Sequence, residues 1–433
     1  MTHMKIDQLY SLFRKHSRIV TDSRKMEQGC LFFALKGDHF NGNDFAAQAL
    51  AGGAAFAVLD EKQPFEDQRL IYVDDVLQTL QQLACHHRQT LAIPVLAITG
   101  SNGKTTTKEL TSAVLSKKYK IRFTQGNLNN HIGVPLTLLT FDNDTELGVV
   151  EMGANHPGEI AFLCQIAQPD FGLITNVGKA HLEGFGSFEM VIKTKSELYR
   201  YLEDRDGTAF IHCENKFLMD VAGKLKKISY GQSETCWQRG EITGQPPFLN
   251  IRAWFPAGLL YIHTKLIGNY NLENVLAATA IGRHFGIDPL LIKEAIEEYT
   301  PSNNRSQFVK TERNQIIMDA YNANPTSMQA SLNNFFSMSH PRKVVILGDM
   351  LELGSYAVNE HQKIIDMIRN QPLHQVFLVG DLFGQCEYPV NFHIFSNVGS
   401  LKGYLISNPI HECIILVKGS RGIGLERITE TIS

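Results

Sequence analysis

The sequence has no long hydrophobic run, no apolar N-terminal segment and no excess of charge of one sign. Its longest mildly apolar stretch, FAAQALAGGAAFAVL, is short and rich in alanine and glycine. It predicts a helix, a turn and a strand, so no membrane span is expected. The N-terminal residues MTHMKIDQLYSLFRKHSR have no apolar core, and no secretory signal is expected there. These absences favour a soluble, cytoplasmic protein.

Closely spaced cysteine pairs are also missing. The seven cysteines are scattered and none forms a Cys-x-x-Cys motif, which predicts reduced, buried thiols. Lysine and arginine number 41 and aspartate and glutamate 44, so no nucleic-acid or membrane-surface partner is expected. A local basic pocket for an anionic small molecule is compatible with this balance.

Strand-length apolar runs alternate with helical patterns along most of the 433-residue chain, which predicts an α/β fold with mostly parallel sheets. Residues 1–80 predict a small α/β domain. Residues 81–300 contain the strand PVLAITG and a β-rich patch from Thr235 to Ile267. Residues 301–433, after the turn-rich stretch TPSNNRSQ, predict a doubly wound domain. We therefore expect three domains with these boundaries.

The stretch ITGSNGKTTT joins the end of an apolar strand to two glycines, a lysine and three threonines. Such a turn directs backbone N–H groups and a helix N-terminus towards an anion. Lys104 would reach the β- and γ-phosphates of a nucleotide, and the Thr105 hydroxyl would bind Mg²⁺. However, Gly100 and Gly103 enclose two residues where the usual phosphate loop has four. The alternative is a glycine turn that precedes a lysine by chance.

Two further polar residues follow apolar strands. Glu151 ends LGVVEMG, and His181 follows FGLITNVG. Because the C-terminal ends of parallel strands line the ligand crevice, Glu151 is a candidate Mg²⁺ ligand. A buried structural glutamate is the alternative. For His181 a hydrogen-bonded structural role is the more common case, since imidazole is not a preferred Mg²⁺ ligand.

One lysine stands where a core residue is expected. In FEMVIKTKSELYRYL, Phe188, Ile192, Lys195, Tyr199 and Leu202 fall at helical spacings on one face, which is apolar except at Lys195. Periodicity alone favours a lysine whose stem packs while its amine reaches water.

Eight stretches in this order, covering essentially the whole chain, resemble the Mur ligases of peptidoglycan synthesis: TGSNGKTTT, EMGANHPGEI, TNVGKAHLEGFGS, KTKSELY, GNYNLENVLAA, DAYNANPTSM, LGDMLELG and VKGSRG. That family has the short glycine spacing. GNLNNHIGVPLTLL, GANHPGEI, DAYNANP and GDMLELG resemble its branch that adds D-alanyl-D-alanine to UDP-N-acetylmuramoyl-tripeptide. The resemblance implies a central P-loop ATPase domain with a parallel sheet, an N-terminal UDP-substrate domain, into which TDSRKMEQGCLFFALKGDHFNGNDF fits, and a C-terminal Rossmann-like domain.

The resemblance also implies residue roles. ATP would bind the phosphate loop and four residues beyond it: Gly100, Ser101, Asn102, Gly103, Lys104, Thr105 and Thr106, with Asn271 and Asn274 near adenine and Arg305 and Asp319 from the C-terminal domain. Two Mg²⁺ ions would be held by Thr105, Glu151, His181 and Lys195. Lys195 matches a lysine that is carbamylated in the family; its free amine would repel metal, whereas a carbamate is an anionic oxygen ligand. The UDP-sugar-peptide would meet Asp22, Ser23, Arg24, Gly37, Asp38, Asn41, Gly42, Asn127 and Asn130.

Two positions depart from the family pattern. Tyr270 stands where histidine is frequent, and Leu425 stands where methionine is common. Both lie away from the phosphates, so they bear on the adenine pocket and the C-terminal helix.

The implied reaction is ATP-driven amide formation through an acyl phosphate, catalysed by Lys104, Glu151, His181 and Lys195, with closure of the third domain over the second. A monomer is expected. Three alternatives remain: a diaminopimelate-adding ligase, a folylpolyglutamate synthase, and a P-loop switch or motor. DAYNANP disfavours the first, and the N-terminal domain disfavours the second. Glu151, where switches and motors usually carry aspartate, disfavours the third.

Overall fold

The computed structural model describes residues 4–302 and 304–433, and it contains three α/β domains. The first domain has a four-stranded parallel sheet with the strand order β1-β2-β5-β6 and a separate hairpin, β3–β4. Its elements are α1 (Ile6–Phe13), β1 (Ile19–Val20), β2 (Leu31–Phe33), β3 (Lys36–Gly37), β4 (Phe40–Asn41), α2 (Ala46–Ala51), β5 (Phe56–Leu59), β6 (Leu70–Tyr72) and α3 (Val76–Leu91).

The central domain is built on a nine-stranded sheet with the order β15-β14-β13-β12-β11-β10-β7-β9-β8. Its strands are β7 (Val95–Thr99), β8 (Ile121–Phe123), β9 (Leu147–Glu151), β10 (Phe171–Ile174), β11 (Thr208–His212), β12 (Lys226–Gly231), β13 (Gln238–Thr243), β14 (Phe248–Phe255) and β15 (Gly258–Ile267). Its helices are α4 (Lys104–Leu115), α5 (Gly133–Leu138), α6 (Glu159–Ala167), α7 (Leu182–Phe185), α8 (Phe188–Lys195), α9 (Glu197–Glu203), α10 (Lys216–Val221), α11 (Leu272–His284) and α12 (Pro289–Glu298). The sheet is parallel except at β13, β14 and β15, which form the expected β-rich patch and pair antiparallel with one another.

The third domain has a six-stranded sheet with the order β16-β17-β21-β18-β19-β20, parallel except for β16. Its elements are β16 (Gln307–Lys310), β17 (Gln315–Asp319), α13 (Pro325–Ser337), β18 (Lys343–Gly348), α14 (Ala357–Ile368), β19 (Gln375–Val379), α15 (Asp381–Gly384), β20 (His393–Phe395), α16 (Val398–Ser407), β21 (Ile414–Lys418) and α17 (Thr429–Ile432). This is the doubly wound pattern expected from the sequence.

The three-domain α/β architecture is thus confirmed. One cluster of buried apolar side chains runs through all three sheets, including Phe33, Val150 and Leu416. The domain boundaries at residues 80 and 300 stay predictions, and the first would fall inside α3. Residue 303, in the turn-rich break, lies outside the described residues. In the part of the chain that is described, no helix is long and apolar enough to cross a membrane.

The expectation of seven buried thiols is wrong at three cysteines. Cys213 and Cys236 form a disulfide. Their separation of 23 residues concealed this pairing, but Cys213 follows β11 and Cys236 precedes β13, and both strands neighbour β12. Cys85 is a free thiol that is only half-buried.

Candidate active site

The two glycines of the phosphate loop have no room for a side chain. Gly100 has φ +141°, and a Cβ there would lie 2.0 Å from Thr175 Oγ1. Gly103, with φ +78°, precedes α4, and its Cβ would lie 2.6 Å from Asn274 Oδ1. Both values are shorter than any tolerated contact. The short spacing therefore fits a loop pressed against β10 on one side and α11 on the other.

Lys104 folds back over this loop. Its Nζ donates hydrogen bonds to the carbonyl oxygens of Gly100 (2.7 Å) and Ser101 (3.2 Å). Burial lowers the pKa of Lys104, Glu151 opposes the shift, and Arg305 adds to it. The amine thus lies on the loop that would receive the phosphates.

Glu151 lies at the end of β9 and is 1% exposed. Its Oε1 accepts hydrogen bonds from Asn129 Nδ2 (2.8 Å) and Thr105 Oγ1 (3.3 Å). Its Oε2 is buried without a hydrogen-bond partner among the described residues, although Lys108 Nζ lies 3.6 Å away. A buried carboxylate oxygen that lacks a hydrogen bond, next to a threonine hydroxyl, fits a hard cation.

Lys195, the last residue of α8, is 2% exposed. Its Nζ lies 3.3 Å from the carbonyl oxygen of Ala154 and 5.5 Å from the Phe185 ring centroid. Burial holds the pKa of Lys195 well below its usual value, the charge of Lys104 lowers it further, and Glu159 opposes the shift. The interpretation of a lysine whose amine reaches water is therefore wrong.

The face that carries Lys195 is less regular than the sequence pattern predicts. Tyr199 and Leu202 are buried as expected, but Phe188 and Ile192 are half-buried. The stretch is also not one uninterrupted helix, since α8 ends at Lys195 and α9 begins at Glu197.

His181 adopts a left-handed backbone conformation, φ +52°, in the loop after β10. Its Nδ1 lies 2.5 Å from Glu352 Oε2 of the third domain. This contact with His181 lowers the pKa of Glu352, whereas burial opposes the shift. A structural role for His181 is compatible with this contact, and its role towards a second Mg²⁺ stays a prediction.

Two asparagines from the start of α11 support the phosphate loop. Asn274 Oδ1 accepts a hydrogen bond from Thr107 Oγ1 (2.9 Å), and Asn274 Nδ2 donates to Asn271 Oδ1 (2.8 Å). Asn271 Nδ2 donates to the carbonyl oxygen of Ile267 (2.8 Å). Neighbouring Tyr270 is hydrogen-bonded to Ser306 Oγ (2.8 Å), so this departure from the family pattern joins the central domain to the third.

The third domain contributes a charged pair and an arginine. Lys418, 2% exposed, donates from Nζ to Asp319 Oδ2 (2.6 Å). The guanidinium carbon of Arg305 lies 3.6 Å from the centroid of the Tyr321 ring. Leu425, the other departure from the family pattern, is buried in the third-domain core.

A cavity of about 680 Å³ lies between the central and third domains and brings most of the predicted residues together. Those on its walls are Ser101, Asn102, Gly103, Lys104, Thr105, Thr106, Asn127, Asn130, Glu151, His181, Asn271, Asn274, Arg305 and Asp319. Gly100 and Lys195 lie behind this surface, Lys195 beneath Ala154.

The predicted UDP-binding residues do not line this cavity. They lie on the first domain, in two segments: a turn with Asp22, Ser23 and Arg24, and the β3–β4 hairpin with the residue after it, which holds Gly37, Asp38, Asn41 and Gly42. Arg24 donates to both carboxylate oxygens of Asp22 (2.9 Å each), which lowers the pKa of Asp22 to about 2. The structure therefore separates these residues from the phosphate loop.

Comparison with known proteins agrees with this geometry. Three family models match: "Mur ligase family, catalytic domain" at residues 16–88, "Mur ligase middle domain" at 98–282, and "Mur ligase, glutamate ligase domain" at 304–421. The UDP-N-acetylmuramoyl-tripeptide–D-alanyl-D-alanine ligase of Bacillus subtilis is 34% identical over 96% of this chain and 92% of its own length. The chain belongs to the Mur ligase family.

Solved Mur ligase structures have the same architecture. A crystal structure of MurF from Acinetobacter baumannii matches with a TM-score of 0.86 and 31% identity, covering 96% of this chain and 93% of that one. The MurF ligase of Thermotoga maritima in complex with ADP matches with a TM-score of 0.84 and 26% identity, covering 96% of each chain.

Sequence reasoning missed the contacts by which the third domain of this Mur ligase touches the central one. Asn324 Nδ2 donates to Asn102 Oδ1 in the phosphate loop (2.7 Å), and Lys179 Nζ lies 3.2 Å from Glu360 Oε1. The only available signal was that Asn324 and Glu352 fall in the stretches DAYNANPTSM and LGDMLELG. These stretches indicate the family, but they do not show that Asn324 contacts Asn102, which is 222 residues away in the sequence.

Proposed function

We propose that this chain is an ATP-dependent ligase that joins D-alanyl-D-alanine to UDP-N-acetylmuramoyl-tripeptide through an acyl phosphate. The observation that carries the proposal is that the walls of one cavity hold Lys104, Arg305 from the third domain, and a buried Glu151 oxygen without a hydrogen bond. Support comes from relatives that carry this activity in their names. The diaminopimelate-adding and folylpolyglutamate alternatives have less support.

In the first step, an oxygen of the tripeptide's terminal carboxylate attacks the γ-phosphorus of ATP, and the bond to ADP breaks. Lys104 and Arg305 place positive charge where two anions meet, which is the main barrier to this attack. The phosphate loop orients the transferred group through its backbone N–H groups.

In the second step, the neutral amine of the dipeptide attacks the acyl carbon. The carbon–oxygen bond to phosphate breaks, phosphate leaves, and the amine loses a proton. Water would destroy the acyl phosphate, so the site has to be enclosed. The contacts of Asn324 and Glu352 with the central domain provide that enclosure.

Two Mg²⁺ ions fit the donors present. Thr105, Glu151, His181 and Lys195 would hold them, and the buried Glu151 Oε2 without a hydrogen-bond partner supports this assignment. When bound, the ions offset phosphate charge.

Lys195 would contribute as a carbamate. A neutral amine adds to CO₂ to give a carbamate and a proton, and the buried Lys195 amine has a depressed pKa that favours the neutral form. Carbamylation would convert the Lys195 amine into an anionic oxygen ligand.

The turn at Asp22–Arg24 and the β3–β4 hairpin of the first domain would bind the uridine nucleotide, and Asn127 and Asn130 would lie along the sugar-peptide. The three units would divide at residues 80 and 300. We expect a monomer that works in the cytoplasm.

The test is a product assay by mass spectrometry with UDP-tripeptide, ATP and candidate amines. Only D-alanyl-D-alanine should give abundant amide product, with phosphate release that requires both substrates. Phosphate release without either substrate and without amide product would contradict the proposal. The assay also distinguishes lysine from diaminopimelate in the tripeptide.

A further inference from the structure

A second arginine shares the aromatic ring that supports Arg305. Arg421 is exposed and begins a short 3-10 helix directly after Ser420. Its guanidinium carbon lies 5.4 Å from the centroid of the Tyr321 ring, and that of Arg305 lies 3.6 Å from the same centroid. Among the residues described, no carboxylate forms a salt bridge with either guanidinium. Two cations at one ring without a counterion indicate a place for an anion.

The backbone that carries Arg421 is firmly held. Ser420, 3% exposed, accepts a hydrogen bond at Oγ from Leu351 N (2.9 Å) and donates one to the Ala323 carbonyl oxygen (3.4 Å). Its own N–H donates to the Asp349 carbonyl oxygen (3.1 Å). Arg421 is therefore anchored where three loops of the third domain meet.

Two of these loops continue directly to a contact with the central domain. Leu351 precedes Glu352, which pairs with His181. Ala323 precedes Asn324, which binds Asn102 in the phosphate loop. Arg421 thus lies beside two loops that contact the central domain, and Tyr321, the ring next to it, lines the cavity.

The charges of the neighbouring cations are already assigned. Arg305 would serve the nucleotide, and Lys418 is paired with Asp319. Arg421 is left for a different anion. The acyl acceptor of the proposed reaction carries one: a dipeptide with a reacting amine at one end and a carboxylate about 7 Å away at the other. A residue that binds this carboxylate has to lie at the rim of the cavity, one dipeptide length from the reacting carbon.

We propose that Arg421 binds the terminal carboxylate of the D-alanyl-D-alanine acceptor, with the Tyr321 ring supporting its guanidinium. Two parallel N–H donors of arginine match the two oxygens of a carboxylate. The incoming negative charge also relieves the repulsion between Arg421 and Arg305. This inference rests on the proposed ligase activity and adds the residue that selects a free carboxylate on the acceptor.

The experiment compares D-alanyl-D-alanine with its neutral analogue, D-alanyl-D-alaninamide, in the wild-type enzyme and in the variants Arg421→Gln and Arg421→Lys. The control is Arg427→Gln, which changes an exposed arginine of the same segment that does not lie over Tyr321. Arg421→Gln should raise KM for the dipeptide about 10- to 100-fold and leave KM for the amide within about twofold. KM for ATP should not change, and Arg421→Lys should be intermediate.

Two results would overturn the inference. An equal change in KM for both acceptors would show that Arg421 does not contact the carboxylate. A selective rise in KM for ATP would assign Arg421 to the nucleotide. If the wild-type enzyme forms no peptide bond with either acceptor, the proposed ligase activity itself is wrong. This outcome differs from the two results above, in which the wild-type enzyme is active.

Discussion

Two regions carry residues assigned to a nucleotide: the cavity between the central and third domains, and the turn and β3–β4 hairpin of the first domain. Their polar side chains differ in whether they have hydrogen-bond partners within the protein. On the cavity wall, Glu151 Oε2 is buried without a hydrogen bond, with only Lys108 Nζ 3.6 Å away among the described residues. Behind that wall, the buried Lys195 amine has one hydrogen bond among the described residues, to the Ala154 carbonyl oxygen. On the first domain, Asp22 and Arg24 satisfy each other at the surface.

This difference shows which observations carry functional information. Burying a polar group without partners costs free energy, and a bound ligand can offset that cost when the group lies on a cavity wall. A surface pair incurs no such cost. The first domain contains the same arrangement a second time, in Asp67 and Arg69, where arginine also lowers the pKa of aspartate to about 2. The assignment of Asp22 and Arg24 therefore rests on family resemblance alone.

The strongest test of the cavity is Lys195→Met. Turnover should fall below detection, because no carbamate can form. In CO₂-depleted, metal-free buffer the melting temperature should rise, because a lone buried amine is replaced by an apolar side chain; we expect about 1 kcal/mol or more. The pKa of Lys195 is lower in the folded than in the unfolded protein. Between the two pKa values the unfolded chain binds a proton that the folded protein does not, so the free energy of unfolding of the wild type should increase as pH rises towards the unfolded pKa.

Activity assays and thermal melts at several pH values check this prediction. Retained turnover in Lys195→Met at limiting bicarbonate would rule out the carbamate. Partial rescue of Lys195→Ala by short carboxylates would support it.

For Lys104→Ala we expect a loss of turnover of about 100- to 1000-fold, the size typical of removing one group that stabilises transition-state charge. The melting temperature should change little, because among the described residues the Lys104 amine donates hydrogen bonds only to carbonyl oxygens of its own loop. A collapse of the melting temperature would instead indicate a structural lysine.

A smaller effect is expected at the junction of the domains. In Asn324→Ser, serine still caps α13 but is too short to reach Asn102, so kcat should fall about fivefold with little loss of stability. Asn397→Ser, the same change at the cap of α16, is the matched control and should keep full activity. In a cycle with Asn102→Ala, additive effects would show that the two side chains are not coupled.

The smallest effect concerns the first domain. Arg24→Ala should raise KM for the UDP-substrate about fivefold and leave kcat unchanged, because the residue would bind and not react. Arg69→Ala, which breaks the equivalent ion pair, should leave KM unchanged. If both changes alter KM equally, Arg24 does not bind the UDP-substrate.

Much of the fold was predictable, because buried parallel strands form apolar runs and phosphate loops have a recognisable glycine spacing. The strands β1, β3, β4, β8, β12, β16 and β20 were not predicted, since they are short or carry polar residues. Most of the predicted site residues on the cavity walls were named from the resemblance to the Mur ligase family. The contacts of Glu352 and Asn324 with the central domain were not predicted, because they depend on how two separately folded sheets pack.

The central claim is that ATP activates the tripeptide carboxylate, and isotope transfer tests it most directly. A UDP-tripeptide labelled with oxygen-18 in its terminal carboxylate would be incubated with ATP, Mg²⁺ and D-alanyl-D-alanine, and the released phosphate analysed by mass spectrometry. If an acyl phosphate forms, one labelled oxygen should appear in phosphate for each amide bond made. Amide product accompanied by unlabelled phosphate would contradict the account.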